Sequence, residues 1–179
     1  MGRSGCGKSS ILRTIAGLWP LKEGNICRPM STGRGGTSFL SQRPYIVVGN
    51  LKEQICYPDT DVILEENDIA NLLSQVGLPD LLDKFANSTE NWEDVLSVGE
   101  QQRLVFARIL FHKPSLAILD ECTSALDVNM QKKLYTTLIE SGVTVVSVGH
   151  RPELKSFHDS LLVVGEGEGG KGWTKKKIE

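Results

Sequence analysis

Apolar positions along this chain follow two rhythms that take turns from one stretch to the next. In "GKSSILRTIAGLW", Ile11, Leu12, Ile15 and Leu18 recur at helical spacing, which predicts a helix from Gly7 to about Leu18. The next stretch, "GNICRPMSTGRGGTSFLSQRPYIVVGN", alternates β-formers with Gly and Pro, so it reads as a β-rich region whose strands are joined by a flexible "STGRGG" turn. Helical spacing returns from Leu51 to Phe111 in "EENDIANLLSQVG", "PDLLDKFA" and "GEQQRLVFARILF", which together read as a helical insert. Then come "SLAILDE", a short apolar strand, "DVNMQKKLYTTLIES", an amphipathic helix, and "VTVVSVGH", a second buried strand. That β-α-β order implies a parallel sheet. The tail "SLLVVGEGEGGKGWTKKKIE" reads as a strand, a Gly-rich hairpin loop and a solvated basic end. The pattern is that of one α/β domain without internal repeats. Its core covers about 1–50 and 112–179, and its helical subdomain about 51–111.

Composition narrows the classes open to such a chain. With 179 residues, 40% hydrophobic and 23% charged, it can bury a core of its own. A formal net charge of -2 argues against a nucleic-acid partner, which would call for a basic surface. Cys6, Cys27, Cys56 and Cys122 are scattered, with no C-x-x-C pair and no metal-ligand spacing, so they read as reduced thiols. The longest apolar runs fall far short of the roughly 20 residues that span a bilayer. Any link to a membrane is therefore expected through another segment or another chain.

Two stretches carry chemistry. Gly2, Gly7, Lys8 and Ser9 fit G-x-x-x-x-G-K-S, the phosphate-loop pattern. A pattern this short can arise by chance in a Gly-rich turn, but here an apolar helix follows at once, whereas "STGRGG" and "GEGEGGKG" lack both the Lys-Ser and the helix and read as loop tips. Backbone N–H groups of such a loop, aimed at a helix start, cradle a triphosphate. The candidate nucleotide-binding positions are Gly2, Ser4, Gly5, Cys6, Gly7, Lys8, Ser9 and Ser10. Lys8 is placed for the β and γ phosphates and Ser9 for magnesium. Downstream, "SLAILDE" ends in Asp120 and Glu121, which a buried strand would present at the sheet's C-terminal edge. Asp120 suits the magnesium shell through water, and Glu121 suits a general base for an attacking water.

Between these lies "LSVGEQQRLVFAR". With the phosphate loop and "LAILDECTSALD" it makes the chain resemble the nucleotide-binding domain of ABC transporters, from Gly2 to at least His150. Leu96, Ser97 and Gly99 match that family's L-S-G-G-Q signature. Val98 replaces its first glycine and Glu100 its glutamine. The resemblance implies a P-loop NTPase fold with a RecA-like parallel-sheet core and a helical subdomain. It also implies roles for Gln42, in "FLSQRPYI", as a sensor of magnesium and the lytic water, and for Asp127, closing "SALD", at a dimer interface. His150, in "VSVGHRPEL", would be a switch histidine on the γ-phosphate. Taken singly, Gln42 would read as a strand-end polar residue, Asp127 as a helix N-cap and His150 as a surface histidine.

"SQRPY", "LKEQICYP", "WEDVLS" and "GHRPELKSFH" are similar to subfamily D, half-transporters of peroxisomes and related organelles with bacterial relatives. Members of that group handle acyl-CoA esters or very-long-chain fatty acids, and some cobalamin. The resemblance implies ATP and Mg2+ as cofactors. It implies as partners a second such domain, in a homo- or heterodimer with ATP sandwiched between phosphate loop and signature, and a transmembrane domain on the same full-length chain. It implies a place on the cytosolic side of a membrane, the peroxisomal one among them. A phosphate loop normally turns between a buried strand and a helix, and only Met1 precedes Gly2, so the expectation is that Met1 is not the natural start. Two alternatives stay open: a non-transport ABC ATPase, and a module that binds ATP without turnover. Trp19 and Trp92 read as packing residues.

Overall fold

The computed structural model describes residues 1–3, 5–29, 34–59, 61–86, 88–165 and 172–178. Half of the expected "STGRGG" turn and most of the Gly-rich hairpin tip lie outside them.

The first helix, α1 (Lys8–Ile15), leaves the phosphate loop directly. It stops three residues short of Leu18 for a local reason. Gly17 takes a left-handed φ of 77°, its N–H donates to Thr14 O at 3.0 Å, and Leu18 N–H donates to Arg13 O at 2.8 Å. These two bonds close a glycine-terminated helix end. Leu18 is left 60% exposed, beyond the helix rather than on its apolar face.

The region expected to be β-rich holds only β1 (Thr37–Leu40) and the two-residue β2 (Val48–Gly49) among the described residues. Pro29 and Pro44 punctuate it, and a proline cannot donate to a ladder. Five helices follow: α2 (Leu51–Cys56), α3 (Glu66–Gln75), α4 (Leu81–Phe85), α5 (Trp92–Val95) and α6 (Val98–His112). An unexpected short strand, β3 (Glu90–Asn91), pairs antiparallel with β2. α6 is the hub of this part, with Leu104, Phe106, Ala107 and Ile109 at 1% exposure or less. Trp92 is fully buried, donates from Nε1 to Gly49 O at 2.6 Å and meets the Phe85 ring edge-on. Trp19 instead lies half exposed under the Arg13 guanidinium.

The expected β-α-β order is present as β4 (Leu116–Asp120), α7 (Val128–Glu140) and β5 (Thr144–Val148). These build a parallel sheet in the order β1-β4-β5, with Phe39 against Ile118 and Asp120 against Val148. β4 is central and buried. β5 was expected to be buried too, but its valines are only half buried because it forms the edge of this sheet. The chain ends in a 3-10 turn (Pro152–Phe157) and an antiparallel hairpin, β6 (Ser160–Val164) with β7 (Trp173–Lys177). The expected solvated basic end is therefore a strand, exposed at every residue. Its lysines guard an open edge against pairing with other chains. Met1 joins this hairpin rather than the parallel sheet: its amino group donates to Leu162 O, and Val164 N–H donates to Met1 O at 2.8 Å.

Trp92 gives the fold its first test. Trp92→Ala should lower stability by about 3–5 kcal/mol through the cavity and the orphaned Gly49 carbonyl. Trp92→Phe, which restores most of the volume but not the donor, should lose clearly less. Urea denaturation of the two variants measures both.

Candidate active site

The phosphate loop is shaped by steric demand. A Cβ on Gly2 would lie 2.3 Å from Val164 O and 2.8 Å from Cys6 Sγ, so no side chain fits there. Gly5 and Gly7 have open space around them, but their φ values of 78° and 92° lie in the left-handed region. Their constraint is conformational rather than spatial. The loop is closed by Cys6 N–H on Arg3 O at 3.4 Å, and the helix begins with Ile11 N–H on Gly7 O at 3.0 Å. Amides of the first turn, at Lys8, Ser9 and Ser10, therefore have no carbonyl within the helix and point out of its N-terminus. Together with the helix dipole they favour an anion. Lys8 curls over the loop and donates from Nζ to Gly2 O at 3.0 Å and Arg3 O at 2.9 Å. Ser4 lies outside the described residues.

Ser9 reaches across the fold, its hydroxyl donating to Asp120 Oδ1 at 2.9 Å. Asp120 ends β4 almost fully buried, at 5% exposure. The next residue breaks the strand's alternation, because Glu121 has a left-handed φ of 53°. Its N–H still donates to Val148 O at 3.0 Å. The turn swings the carboxylate out of the sheet toward His150, whose Nε2 lies 3.0 Å from Glu121 Oε1. The sheet's C-terminal edge thus gathers the phosphate loop, Asp120, Glu121 and His150 into one site.

The other expected residues stand apart from that group. Gln42 is exposed just beyond β1, and no hydrogen bond joins its side chain to Ser9, Asp120 or Glu121 among the described residues. Its carbonyl accepts from Gln102 Nε2 at 3.3 Å. Ser97 is the N-cap of α6 in a reciprocal capping box with Glu100. Glu100 accepts from the Ser97 amide at 2.9 Å and the Ser97 hydroxyl at 2.6 Å. These two bonds, the hydroxyl first, hold its carboxyl below the usual range. Val98, at the signature's substituted position, has ordinary helical geometry and is exposed. Gly99 is closely packed, since a Cβ there would press on Ala125 O at 3.3 Å. Asp127 caps α7, accepting from Met130 N–H at 2.9 Å.

Sequence reasoning missed the residue that ties these pieces together. Gln102 is 2% exposed, and besides Gln42 O it donates to Ser124 Oγ at 3.5 Å and accepts from Ala125 N–H at 3.2 Å. Beneath the same loop, Arg151 donates to Ser124 O and to Gln131 Oε1, and Gln131 donates to Thr123 Oγ1. Cys122 sits in the same loop with its thiol pushed well up by burial. The available signal was a polar residue on the buried face of an apolar helix. On the far side of α6, Arg108 donates to Gln54 O and Tyr45 O and stacks on Tyr57, and burial pulls its guanidinium down to about 10.

Comparison with known proteins fits this geometry. A family model described as ABC transporter matches residues 1–124, and the chain belongs to that family as an ATP-binding domain of its ATPases. Within the family the chain is similar to subfamily D. It is 43% identical over 179 residues to ABC transporter D family member 1 of Arabidopsis thaliana, covering 94% of this chain and 13% of that protein. It is 39% identical over 168 residues to ATP-binding cassette sub-family D member 3 of Homo sapiens, covering 90% of this chain and 25% of that one. An uncharacterised ABC transporter ATP-binding protein of Synechocystis sp. is 49% identical over 166 residues, covering 92% and 25%. The chain thus spans a quarter or less of the length of these relatives. A bacterial Atm1-family ABC exporter with ATP bound shares the fold at a TM-score of 0.75 and 23% identity, over 90% of this chain and 30% of its own.

The capping box yields a pH prediction. Because the folded pKa of Glu100 is lowered, its contribution is complete above about pH 4.3, the unfolded value, and is lost as pH falls through the folded one. Ser97→Ala should cost about 1 kcal/mol at neutral pH and return the Glu100 carboxyl toward its ordinary range. Denaturation at pH 7, with side-chain NMR titration of Glu100, reads both effects.

Proposed function

We propose that this chain is the ATP-hydrolysing motor domain of an ABC half-transporter, built as a core over about 1–50 and 112–179 with a helical subdomain over about 51–111. One observation carries the reading: the Ser9–Asp120 hydrogen bond places the phosphate loop beside a carboxylate, Glu121, that the backbone turns outward and His150 steadies.

The amides of Gly5, Cys6, Gly7, Lys8, Ser9 and Ser10, with Gly2 shaping the loop, receive the phosphates, and Ser4 of the same motif is a further nucleotide-binding candidate. Lys8 exchanges the Gly2 and Arg3 carbonyls for phosphate oxygens, a stronger charge-assisted partner. Ser9 Oγ and Asp120 Oδ1 suit magnesium, since they are hard oxygens 2.9 Å apart. No group of three or more His, Cys, Asp or Glu among the described residues forms an all-protein cage, and magnesium favours few protein ligands plus phosphate and water. When bound, magnesium neutralises charge on the phosphate oxygens. Glu121 takes the proton of the attacking water and orients it, with Gln42 as the sensor of magnesium and that water and His150 on the γ-phosphate. Holding these groups in place lowers the barrier mostly by positioning.

Among the described residues no side-chain hydrogen bond joins Ser97, Glu100 or Asp127 to the phosphate loop, which supports a role for them and for Gly99 on the nucleotide of a second domain. In that head-to-tail pair the N-terminus of α6 adds its partial positive charge to the γ-phosphate. The partners are thus a second nucleotide-binding domain and a transmembrane domain, and the setting is the cytosolic side of a membrane, the peroxisomal one for a subfamily D member. Fatty acids or acyl-CoA esters are the transported class this kinship suggests.

Lys8→Ala should abolish ATP binding. Glu121→Gln should retain binding, lower hydrolysis by ~10²-fold or more, and accumulate an ATP-bound dimer on size-exclusion chromatography with magnesium. A Glu121→Gln chain that hydrolyses ATP normally would remove the general base from this account.

A further inference from the structure

We propose that Gln102 is a positioning residue for ATP hydrolysis: its carboxamide holds the segment carrying Gln42 in register with the loop between Glu121 and Asp127, so that hydrolysis depends on it and ATP binding does not. The inference rests on Gln42, Glu121 and His150 acting on the γ-phosphate and the attacking water as proposed.

Gln102 is the fifth residue of α6 and is 2% exposed. Val105 and Phe106, which follow it on the same side of the helix, are buried and apolar. An apolar side chain at 102 would pack there without the cost of desolvating an amide. Three hydrogen bonds offset that cost: Nε2 donates to Gln42 O at 3.3 Å and to Ser124 Oγ at 3.5 Å, and Oε1 accepts from Ala125 N–H at 3.2 Å. A carboxamide has two donors and an acceptor in one plane, and here all are engaged at once. A carboxylate lacks the donors, and asparagine is one carbon too short. The three bonds lie at the long end of the normal range, so a small approach of either segment tightens them and is felt by the other.

The loop that Gln102 holds is joined to the rest of the site. Ser124 N–H donates to Glu121 O at 3.2 Å and Leu126 N–H to Thr123 O at 3.2 Å, so the turn continues from the outward-swung Glu121 to Asp127. A second set of bonds reaches it from the residue after His150. Arg151 donates to Ser124 O at 3.4 Å and to Gln131 Oε1 at 3.5 Å, and Gln131 donates to Thr123 Oγ1. Residues 123–125 thus connect Glu121, His150 and, through Gln102, Gln42. Among the described residues no side-chain hydrogen bond joins Gln42 to Glu121 or His150. The phosphate loop takes no part in this network, since Lys8 bonds its own loop and Ser9 bonds Asp120. Loss of the carboxamide therefore lets the water-sensing and proton-accepting groups drift apart while the phosphate cradle stays whole.

The test compares two variants of the whole chain. Gln102→Met keeps the volume and removes both donors and the acceptor; Gln102→Glu keeps the acceptor and regains an O–H donor only when protonated. With magnesium and ATP, kcat of Gln102→Met is expected to fall ~10²-fold while KM and the Kd for ATP change less than ~2-fold. For Gln102→Glu the ratio of its kcat to that of the wild type is expected to rise ~10-fold or more as pH falls from about 9 to about 6. Taking the ratio at each pH cancels the titration of Glu121 and His150, which both proteins share, and a packing role would leave it flat. Without nucleotide, the Ala125 amide is expected to exchange ~10-fold faster in Gln102→Met and near the wild-type rate in Gln102→Glu. Parallel losses of kcat and ATP affinity, or a flat pH ratio, would overturn the proposal. Should Gln102→Met fail to fold, the pH ratio of Gln102→Glu alone decides. A wild-type chain that hydrolyses no ATP would instead refute the ATPase reading, and the exchange comparison, which needs no turnover, then decides whether Gln102 holds the loop.

Discussion

A single hydrogen bond between residues 111 positions apart sets the geometry of the site: Ser9 Oγ on Asp120 Oδ1. It fastens the first turn of α1 to the end of β4, the buried central strand. Asp120 is nearly inaccessible, and a buried carboxylate without a donor is expensive. The bond therefore constrains both partners. Ser9 cannot leave without stranding Asp120, and through this bond the start of α1 is tied to the sheet. From that fixed point Glu121 follows by one residue, and the parallel register of Asp120 with Val148 brings His150 alongside.

Around this centre α6 acts as a strut of fifteen residues, about 22 Å long. The capping box at its start fixes Ser97 and Glu100. Gln102, one turn on, holds both the Gln42 carbonyl and the loop between Glu121 and Asp127. Arg108, further along, grips the Tyr45 and Gln54 carbonyls. Since the interior is close-packed, a shift at any of these points is passed to the others rather than absorbed. Under the proposed function, the segment carrying Gln42 and the loop after Glu121 are connected through one buried amide.

Much of this was legible in the sequence because it depends on local pattern. The phosphate loop, the strand ending in Asp120 and Glu121, and the β-α-β order all follow from spacing within a short window. What was not legible depends on long-range placement. The end of α1 at Ile15 turned on whether Gly17 would go left-handed. β3 exists only because Glu90–Asn91 meets Val48–Gly49, a pairing no window contains. Gln102 gains its role only where the fold places the Gln42 carbonyl and the Ala125 amide against it.

β5 is the most instructive departure. Its sequence is that of a strand covered on all sides, and its neighbour β4, of like composition, is covered in that way. The difference lies in pairing rather than in residue type: among the described residues β4 has a strand on each side, and β5 has one. An apolar strand left at an edge exposes both valine side chains and unpaired amides, a combination that folds ordinarily guard with charge, as β7 does with its lysines. β5 carries no such guard. Its composition is therefore suited to a position with two neighbours, and an apolar cleft lies beside it.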